Sequence, residues 1–561
     1  MSGRRVSDLE VRRSLAHRRL FAPMSMVGLV LGALGFVAAL MPGMVPRTSL
    51  TLGLLAGLCF AAAYGVGVSL VYFAALLELA PLNPERHRKL RAVALICSGG
   101  LVLYGLARAP VWQNSVNAVM GLPPVERQGS LLVAALALAV VLSLVLLARL
   151  FRRAAIIFAN LLLIALPVRA ALLGGFVLAA MLFWSIGSGI LARSVVDALD
   201  ATYANVDALI PAGSRPPGDP LKSGSRQSNM TWASLGAAGR DFVLSRPDRA
   251  QIAGLAGETA MEPIRVYVGV NSAEDPAARA RLALEELKRT GAFARGTLVI
   301  ATPTGTGWVD PAATLPLEYL LRGDVATVAV QYSYLPSWLS LMVEPERGAE
   351  TARQVCRLVY GHWLTLPKDS RPRLYLFGLS LGALNSDLAV DVYDILAQPF
   401  DGALWAGPPF PSRTWNAVVA ARNPDTPVWL PRYSDGRMFR FATQDADLSQ
   451  GYAAWGPLRI VYLQYPSDPI VFFESSSLLR RPRIAADPRA PDISPTFVWI
   501  PVVTFLQGIV DMVTATGTPS GFGHVYAGTD YLDAWIALTD PTGWTEADID
   551  RLRRRIKEED L

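Results

Sequence analysis

The residues most able to do chemistry lie in the short stretch 373–383, which reads RLYLFGLSLGA. Strand-like residues run into Gly378, Ser380 and Gly382, and a helix-compatible run follows. A serine at the apex of a strand–turn–helix occupies strained backbone geometry and projects its hydroxyl above the sheet, and small residues two positions away on either side relieve the crowding. Ser380 is therefore the candidate nucleophile, with Gly378 and Gly382 as the elbow glycines. The alternative interpretation is a glycine-rich turn that happens to hold a serine.

A nucleophilic serine needs a base, and the base needs an acid that orients it. The chain has four histidines, and only His524 follows Ser380. It lies in the glycine-flanked loop 520–526, which reads SGFGHVY. His362, upstream, ends a predicted helix and is interpreted as a surface or packing residue. The order along the chain therefore predicts His524 as the base.

Asp468 is the candidate acid, because it comes directly after the predicted strand 459–465 in the sequence PSDPIV. The acid is needed just past the carboxyl end of a late strand, between the serine and the histidine in the sequence. The alternative is that Asp468 merely starts a turn through its Asp-Pro step. The rival carboxylates are less well placed. Asp401 precedes a strand, Asp435 and Asp445 lie in a predicted insertion, and Asp511 lies in an apolar helix.

Stabilisation of a developing oxyanion requires backbone N–H groups near the nucleophile. One should come from Leu381 and the other from the loop 303–308, PTGTGW, which follows an early predicted strand. Thr304 and Gly305 are the candidates, since the His-Gly-Gly-Gly form of many lipases is absent. As a phosphate-binding loop, the same segment lacks the Gly-Lys-Ser/Thr ending of a P-loop.

Beyond about residue 230, short β-rich runs alternate with helical patterns, which predicts a doubly wound, mainly parallel sheet with its site at the carboxyl ends of the strands. A helix over 277–289 is expected to turn Glu285, Glu286 and Lys288 toward solvent. The predicted strands are 264–270, 297–302, 325–332, 374–377, 403–405 and 460–465.

Apolar residues are concentrated in the first 193 residues of a chain that is 52% hydrophobic. The shorter apolar stretch 154–166 suits an interfacial or re-entrant helix, with a sixth span as the alternative. We expect five transmembrane spans, over 24–41, 50–79, 93–107, 130–147 and 170–191.

Arginine and lysine cluster before the first span, between the second and third, and after the fourth, which places the amino terminus in the cytoplasm. Five spans then put the distal half outside the cytoplasmic (inner) membrane, and a sixth over 154–166 would reverse this. The net charge of +6 comes from these flanks, so it gives no indication of nucleic-acid binding. The spans hold almost no charge at mid-depth, which disfavours a transport function.

The predicted domains are a transmembrane helical domain over 1–197, a polar linker over 198–230 and a catalytic domain over 231–561. Within the last, 408–457 is expected to form a cap over the site. The apolar stretch 497–515 is interpreted as a core helix, or alternatively as a membrane-facing or acyl-binding wall. The three cysteines and four scattered histidines predict no metal site, and no cofactor is expected.

Several motifs together resemble the bacterial membrane-anchored α/β-hydrolases with an N-terminal multi-span transmembrane domain, a poorly characterised group of serine hydrolases. The resemblance covers nearly the whole chain, and it implies the α/β-hydrolase fold and a triad of Ser380, Asp468 and His524. The motifs are residues 302–308, 331–338 (QYSYLPSW), 378–382, 467–469 (SDP) and 523–524.

The expected activity is that of a membrane-anchored serine hydrolase of the esterase or lipase type. Its substrate would be an ester, either a membrane lipid or another cell-envelope component. Acyl transfer to an alcohol by the same triad, and a non-catalytic membrane scaffold with a hydrolase fold, are the alternatives. No oligomeric state follows from the residues.

Overall fold

A computed structural model describes residues 24–77, 84–125, 129–211, 213–257, 259–390, 398–444, 448–486 and 488–559. The chain divides into two compact units. The first, the helical unit, holds the chain up to Ala198 together with Ser475–Arg481 and Ser494–Asp511. The second, the sheet unit, holds Leu199–Glu474, Pro482–Ile493 and the chain from Met512 onward.

Five apolar helices lie in the described part of the helical unit. Four of them are long and apolar enough to cross a membrane, and the first, with 15 residues, is shorter. Large apolar side chains such as Ile96, Leu103 and Leu131 point outward and are exposed, as expected for surfaces that meet lipid. These features fit a multi-pass membrane anchor. The helices are α1 (Met26–Leu40), α2 (Ser49–Leu76), α3 (Pro84–Val119), α4 (Ser130–Leu162) and α5 (Val168–Trp184).

The expectation of a separate short helix over 154–166 was wrong, because α4 continues without a break to Leu162. The arginines at 149, 152 and 153, just before this stretch, interrupt the run of apolar residues but do not interrupt the helix. Arginine, alanine and leucine are all strong helix formers, and no proline occurs before Pro167. The sixth span considered over the same residues is therefore not a separate helix either.

The late segment Ser494–Asp511 is packed among the apolar helices of the helical unit. Val503 is buried with side chains of α1 to α4, and Gln507 Nε2 donates to the Met41 carbonyl at 3.1 Å. Within the stretch 497–515 the helix spans only Val503–Thr514, with Val503 and Gln507 buried and Ile509 and Val513 exposed. Its two interpretations, a core helix and a membrane-facing wall, both stay open. The buried partners of Val503 are Phe36, Ala39, Leu40, Leu52, Leu55, Ala56, Cys59, Ala109, Val133 and Ala137.

Seven parallel strands form the sheet of the sheet unit, in the order β1-β3-β2-β4-β5-β7-β6. The predicted fold class, apolar helices followed by a doubly wound, mainly parallel sheet, is confirmed. Six strands match predicted runs; the seventh, β6, lies in the expected cap segment and forms an edge of the sheet. The strands are β1 (Ile264–Val268), β2 (Thr297–Thr302), β3 (Val325–Val330), β4 (Arg373–Leu379), β5 (Gly402–Ala406), β6 (Phe439–Ala442) and β7 (Arg459–Leu463).

Thirteen further α-helices are described, and most of them lie in the sheet unit. A π-helical segment, Ser185–Leu191, precedes the first of them. They are α6 (Ala192–Ala208), α7 (Gly236–Leu244), α8 (Arg249–Ala256), α9 (Pro276–Arg289), α10 (Pro311–Leu320), α11 (Ser337–Val343), α12 (Pro345–Thr365), α13 (Leu381–Leu388), α14 (Arg413–Ala420), α15 (Pro469–Phe472), α16 (Val503–Thr514), α17 (Gly528–Thr539) and α18 (Glu546–Glu558). The start of α6 and most of α16 belong to the helical unit.

The polar stretch 198–230 is attached to the sheet unit through Glu286 on α9. Ser228 Oγ donates to Glu286 Oε1 at 2.7 Å, and Asn229 N–H donates to Oε2 at 3.1 Å. Glu286 is fully buried by these partners, so its expected place on a solvated face was wrong. Glu285 and Lys288 are exposed, as predicted.

The strand register brings four carboxyl ends to one edge of the sheet. Thr302 of β2 lies beside Gly378 of β4, and Ala406 of β5 lies between Leu379 of β4 and Leu463 of β7. The loops that follow these strands therefore emerge side by side. They carry the oxyanion candidates, the candidate nucleophile and the candidate acid.

Candidate active site

Ser380 sits at a sharp turn between β4 and α13. Its backbone has φ 56° and ψ −126°, a conformation that a non-glycine residue adopts only under strain, and its N–H donates to the Ala406 carbonyl at 2.9 Å. A Cβ at Gly378 would lie 2.4 Å from the backbone of Gly382, and one at Gly382 would lie 2.2 Å from the Thr302 carbonyl. The turn therefore requires both glycines.

His524 and Asp468 are in direct contact. His524 Nδ1 lies 2.6 Å from Asp468 Oδ2, and both side chains are buried. The carboxylate accepts the Nδ1–H hydrogen, which leaves Nε2 as the basic nitrogen of a neutral ring. The structure thus brings together two residues that lie 56 positions apart and that were singled out separately.

Asp468 is held by two further hydrogen bonds. Its Oδ1 accepts from the Ile470 N–H at 2.8 Å, which caps α15. Its Oδ2 accepts from the Tyr526 hydroxyl at 2.7 Å, so His524 and Tyr526 share this oxygen. The Asp-Pro turn that was weighed as an alternative role is present, and the same side chain also reaches the imidazole.

The loop that carries His524 is fastened to the loop that carries Asp468. Gly523 N–H donates to Ser467 Oγ at 2.9 Å, and Ser467 N–H donates to Asp492 Oδ2 at 3.0 Å. Gln444 Nε2 then bridges Asp492 Oδ2 at 3.0 Å and the Gly521 carbonyl at 2.7 Å. This chain of bonds fixes the distance between the two loops.

Gly407 links the serine turn to the imidazole. It directly follows Ala406, the acceptor of the Ser380 N–H, and has φ +52°. A Cβ at Gly407 would lie 2.6 Å from His524 Cε1. His524 Nε2 is buried and has no hydrogen-bond partner among the described residues, so Ser380 Oγ is not bonded to it. Such catalytic bonds are often long without substrate and tighten in the complex.

The oxyanion candidates differ in their availability. Thr304 N–H donates to the Trp308 carbonyl at 2.9 Å, and Gly305 N–H donates to Ser337 Oγ at 3.1 Å. In the described part of the chain, Leu381 N–H makes no hydrogen bond. The acceptor of the Gly305 N–H is a side-chain hydroxyl, which can rotate away more easily than a backbone carbonyl can move.

A second buried carboxylate, Asp310, lies near the imidazole. It caps α10 through the Ala312 N–H at 2.9 Å and accepts from the Tyr531 hydroxyl at 3.1 Å. Burial raises the pKa of Asp310 to about 6, against the opposing effects of these two donors and of a charged His524. Its negative charge is therefore gained only near neutral pH.

The described rivals of Asp468 have other partners. Asp401 accepts a backbone N–H at the start of β4, and Asp435 and Asp511 each pair with an arginine. Asp445 lies outside the described residues. The choice of Asp468 as the acid stays a prediction, supported by its bond to His524.

Sequence reasoning missed the supporting residues Tyr526, Ser467, Gly407 and Asp492. Ser467 and Tyr526 lie within the quoted motifs, next to Asp468 and two residues after His524, which was a usable signal. In the described residues, no group of three histidine, cysteine or carboxylate side chains is arranged to hold a metal ion.

Comparison with known families gives two matches. Residues 264–552, about half of the chain, match the model described as "Alpha/beta-hydrolase family". Residues 40–247 match the model described as "Alpha/beta-hydrolase family N-terminus". Comparison with curated proteins and with solved structures gave no match. The family models and the parallel sheet agree, and this chain belongs to the alpha/beta-hydrolase family.

Proposed function

We propose that this protein is a membrane-anchored serine hydrolase of the esterase or lipase type. Ser380 is the nucleophile, His524 the general base and Asp468 the acid that orients the base. The observation that carries the proposal is the 2.6 Å contact between His524 Nδ1 and Asp468 Oδ2, with Nε2 of the same ring free of other partners among the described residues.

The reaction begins when the Ser380 hydroxyl gives its proton to His524 Nε2 and its oxygen bonds to the ester carbonyl carbon. The carbonyl π electrons move to the oxygen, which becomes an oxyanion. When the intermediate collapses, the bond to the alcohol breaks and the alcohol leaves with the proton from Nε2. Water then gives a proton to His524, attacks the acyl carbon and releases the acid, and Ser380 recovers its proton.

The oxyanion is stabilised first by the Leu381 N–H, which comes directly after the nucleophile and has no competing acceptor among the described residues. Gly305 supplies the second donor if Ser337 Oγ turns away from it. Its present partner keeps the Gly305 N–H satisfied until substrate arrives.

The substrate is proposed to be an ester of a membrane lipid or another envelope component, because the chain that carries the sheet unit also carries apolar helices of spanning length. If an alcohol replaces water in the second half-reaction, the same residues perform acyl transfer. Adding a primary alcohol to the assay separates the two activities, because transfer forms a new ester at the expense of the free acid.

The test compares Ser380→Ala with Ser370→Ala, in which an exposed loop serine is removed instead. Purified full-length protein is assayed on p-nitrophenyl esters of increasing acyl length. We expect Ser380→Ala to lose turnover and Ser370→Ala to keep it, while both remain in the detergent-extracted membrane fraction. Turnover that persists in folded Ser380→Ala contradicts the proposal.

The sheet unit is proposed to lie outside the cytoplasmic membrane. The arginine-rich flanks place the amino terminus inside, and five crossings carry the chain to the other side. The short helix α1 decides the side, because without its crossing the other four return the chain to the side where it began. A periplasm-only reporter fused after Leu561 should be active, and an inactive one would contradict this orientation.

A further inference from the structure

Three buried tyrosine–aspartate pairs lie together around the loop that carries His524. In each pair the phenol hydroxyl donates to a carboxylate oxygen, and all six side chains are buried. The pairs are Tyr526 with Asp468, Tyr531 with Asp310, and Tyr465 with Asp530. Only the first includes the carboxylate that bonds the imidazole.

Tyr526 shares an acceptor atom with His524. The phenol oxygen lies 2.7 Å and His524 Nδ1 lies 2.6 Å from the same Oδ2 of Asp468. A hydrogen bond to the charged form of a carboxylate stabilises that charge and lowers its proton affinity. The Tyr526 bond therefore weakens the pull of Asp468 on the proton of a charged imidazole.

The Tyr526 ring is held in place by its neighbours. It stacks on Tyr465 with ring centroids 4.4 Å apart, and it meets the His524 ring edge to face at 5.8 Å. Tyr465 is itself fixed, because its hydroxyl donates to Asp530 and accepts from the Ala527 N–H at 2.9 Å. The phenol is thus a rigid donor to Asp468.

Several titratable groups surround the imidazole. Burial raises the pKa of the Tyr526, Tyr531 and Tyr465 phenols, so they remain protonated donors at any working pH. Asp310 at the start of α10 and Asp468 at the start of α15 lie near His524, and Tyr465 after β7 and Tyr531 on α17 lie against Tyr526. Asp530 on α17 is bonded to Tyr465.

We propose that Tyr526 is a positioning residue that sets the basicity of His524 through the Oδ2 atom of Asp468. The inference rests on the proposed function for its catalytic consequence, and on geometry alone for its effect on the imidazole. With the phenol in place, Asp468 Oδ2 divides its hydrogen bonding between Tyr526 and His524, so it holds the imidazole Nδ1–H less strongly than it would alone.

The test is Tyr526→Phe, with Tyr375→Phe as the matched control. Tyr375 is also buried in the sheet unit, and its hydroxyl donates to the Leu538 carbonyl at 3.3 Å, with no bond to Asp468. In Tyr526→Phe the pH midpoint of the acidic limb of the kcat/KM profile should move upward by about half to one pH unit. The change should appear in kcat rather than KM, because the Tyr526 side chain is buried and its hydroxyl is bonded to Asp468.

A second readout does not depend on activity. The pH midpoint of deuterium exchange at the C2 carbon of His524, followed by mass spectrometry of its peptide, reports the imidazole directly. It should rise in Tyr526→Phe and stay in place in Tyr375→Phe. An unmoved midpoint in Tyr526→Phe, or an equal shift in both variants, overturns the inference. A wild-type protein without turnover but with the expected exchange shift would contradict the proposed function alone.

Discussion

Arg47 and Asp511 form a buried ion pair in the helical unit although 464 positions separate them. Arg47 Nε lies 2.7 Å from Oδ1 and Nη2 lies 2.9 Å from Oδ2, and the Met44 N–H adds a third bond at 3.0 Å. Two parallel bonds of this kind give both strength and a fixed geometry. The charge inside the apolar helix α16 therefore has a structural role in fastening Ser494–Asp511 to the helical unit.

Neutralising one partner of this pair should be costly. Asp511→Asn leaves the Arg47 guanidinium buried without its counter-charge, which typically costs about 3–5 kcal/mol. The control is Asp533→Asn, which breaks the partly exposed pair with Arg553 and should cost less than about 1 kcal/mol. Thermal unfolding of both variants in the same detergent measures the difference. Equal losses of stability would show that the Arg47–Asp511 pair does not fasten the segment.

Adding a methyl group beside the imidazole should reduce activity more than stability. Gly407→Ala places a Cβ 2.6 Å from His524 Cε1, so the ring must move. A misplacement of about 1 Å at a catalytic group costs about 10²-fold in rate. Gly291→Ala is the control, because Gly291 also has positive φ (+71°) but its Cβ would meet open space. Both variants carry similar backbone strain, and only Gly407→Ala should lose kcat for ester hydrolysis. Equal activities would contradict the placement of the ring.

Removing the charge of the candidate acid should slow turnover strongly while keeping the shape of the site. In Asp468→Asn the imidazole is held in the wrong tautomer, which typically lowers kcat by about 10³–10⁴-fold. Asp401→Asn changes a rival acid that directly precedes β5 and accepts from the Leu374 N–H at the start of β4, at the opposite ends of these strands from the site, and it should keep activity. The comparison uses steady-state hydrolysis of one short acyl ester. Loss of activity in Asp401→Asn alone would reassign the acid.

Asp310 should make stability fall as pH rises. Its pKa is about 6 in the folded protein against an ordinary 3.8, so the folded state favours the protonated acid. The burial penalty is absent below about pH 4, grows between pH 4 and 6, and is complete above that range. A difference of about 2 pKa units corresponds to about 3 kcal/mol.

Asp310→Asn should therefore stabilise the protein by about 3 kcal/mol at pH 8 and leave it unchanged at pH 4, since asparagine keeps the helix cap without ionising. Asp275→Asn, at the exposed cap of α9, controls for the capping change itself. Urea unfolding at the two pH values measures both variants. An Asp310→Asn effect that is the same at pH 4 and pH 8 would contradict the burial argument.

The strands of the sheet could be predicted closely because each one is encoded by a local run of apolar and β-branched residues. The runs at 297–302 and 264–270 are apolar and β-branched and are followed by helical patterns, so the observed β2 and β1 begin where expected. The serine turn carries its own signature in Gly378 and Gly382. Chain order then selected His524, since no other histidine follows Ser380.

Other features depend on contacts that periodicity does not encode. The bond from Tyr526 to Asp468 joins residues 58 positions apart, and the place of Tyr526 close to His524 was its only signal in the sequence. The apolar run predicted a span over 130–147, although helix propensity carries α4 on to Leu162. The edge strand β6 is only four residues long, and its pairing with β7 supplies what its own sequence lacks.

The most direct test of the central claim is labelling with a fluorophosphonate probe, which reacts only with a serine activated by its surroundings. Three full-length proteins, the wild type, Ser380→Ala and Ser370→Ala, are labelled in membranes, and the modified peptide is mapped by mass spectrometry. The account predicts a single adduct on Ser380 in wild type and Ser370→Ala, and none in Ser380→Ala. An adduct on another serine, or a folded wild-type protein that takes no label, would contradict Ser380 as the nucleophile of this hydrolase.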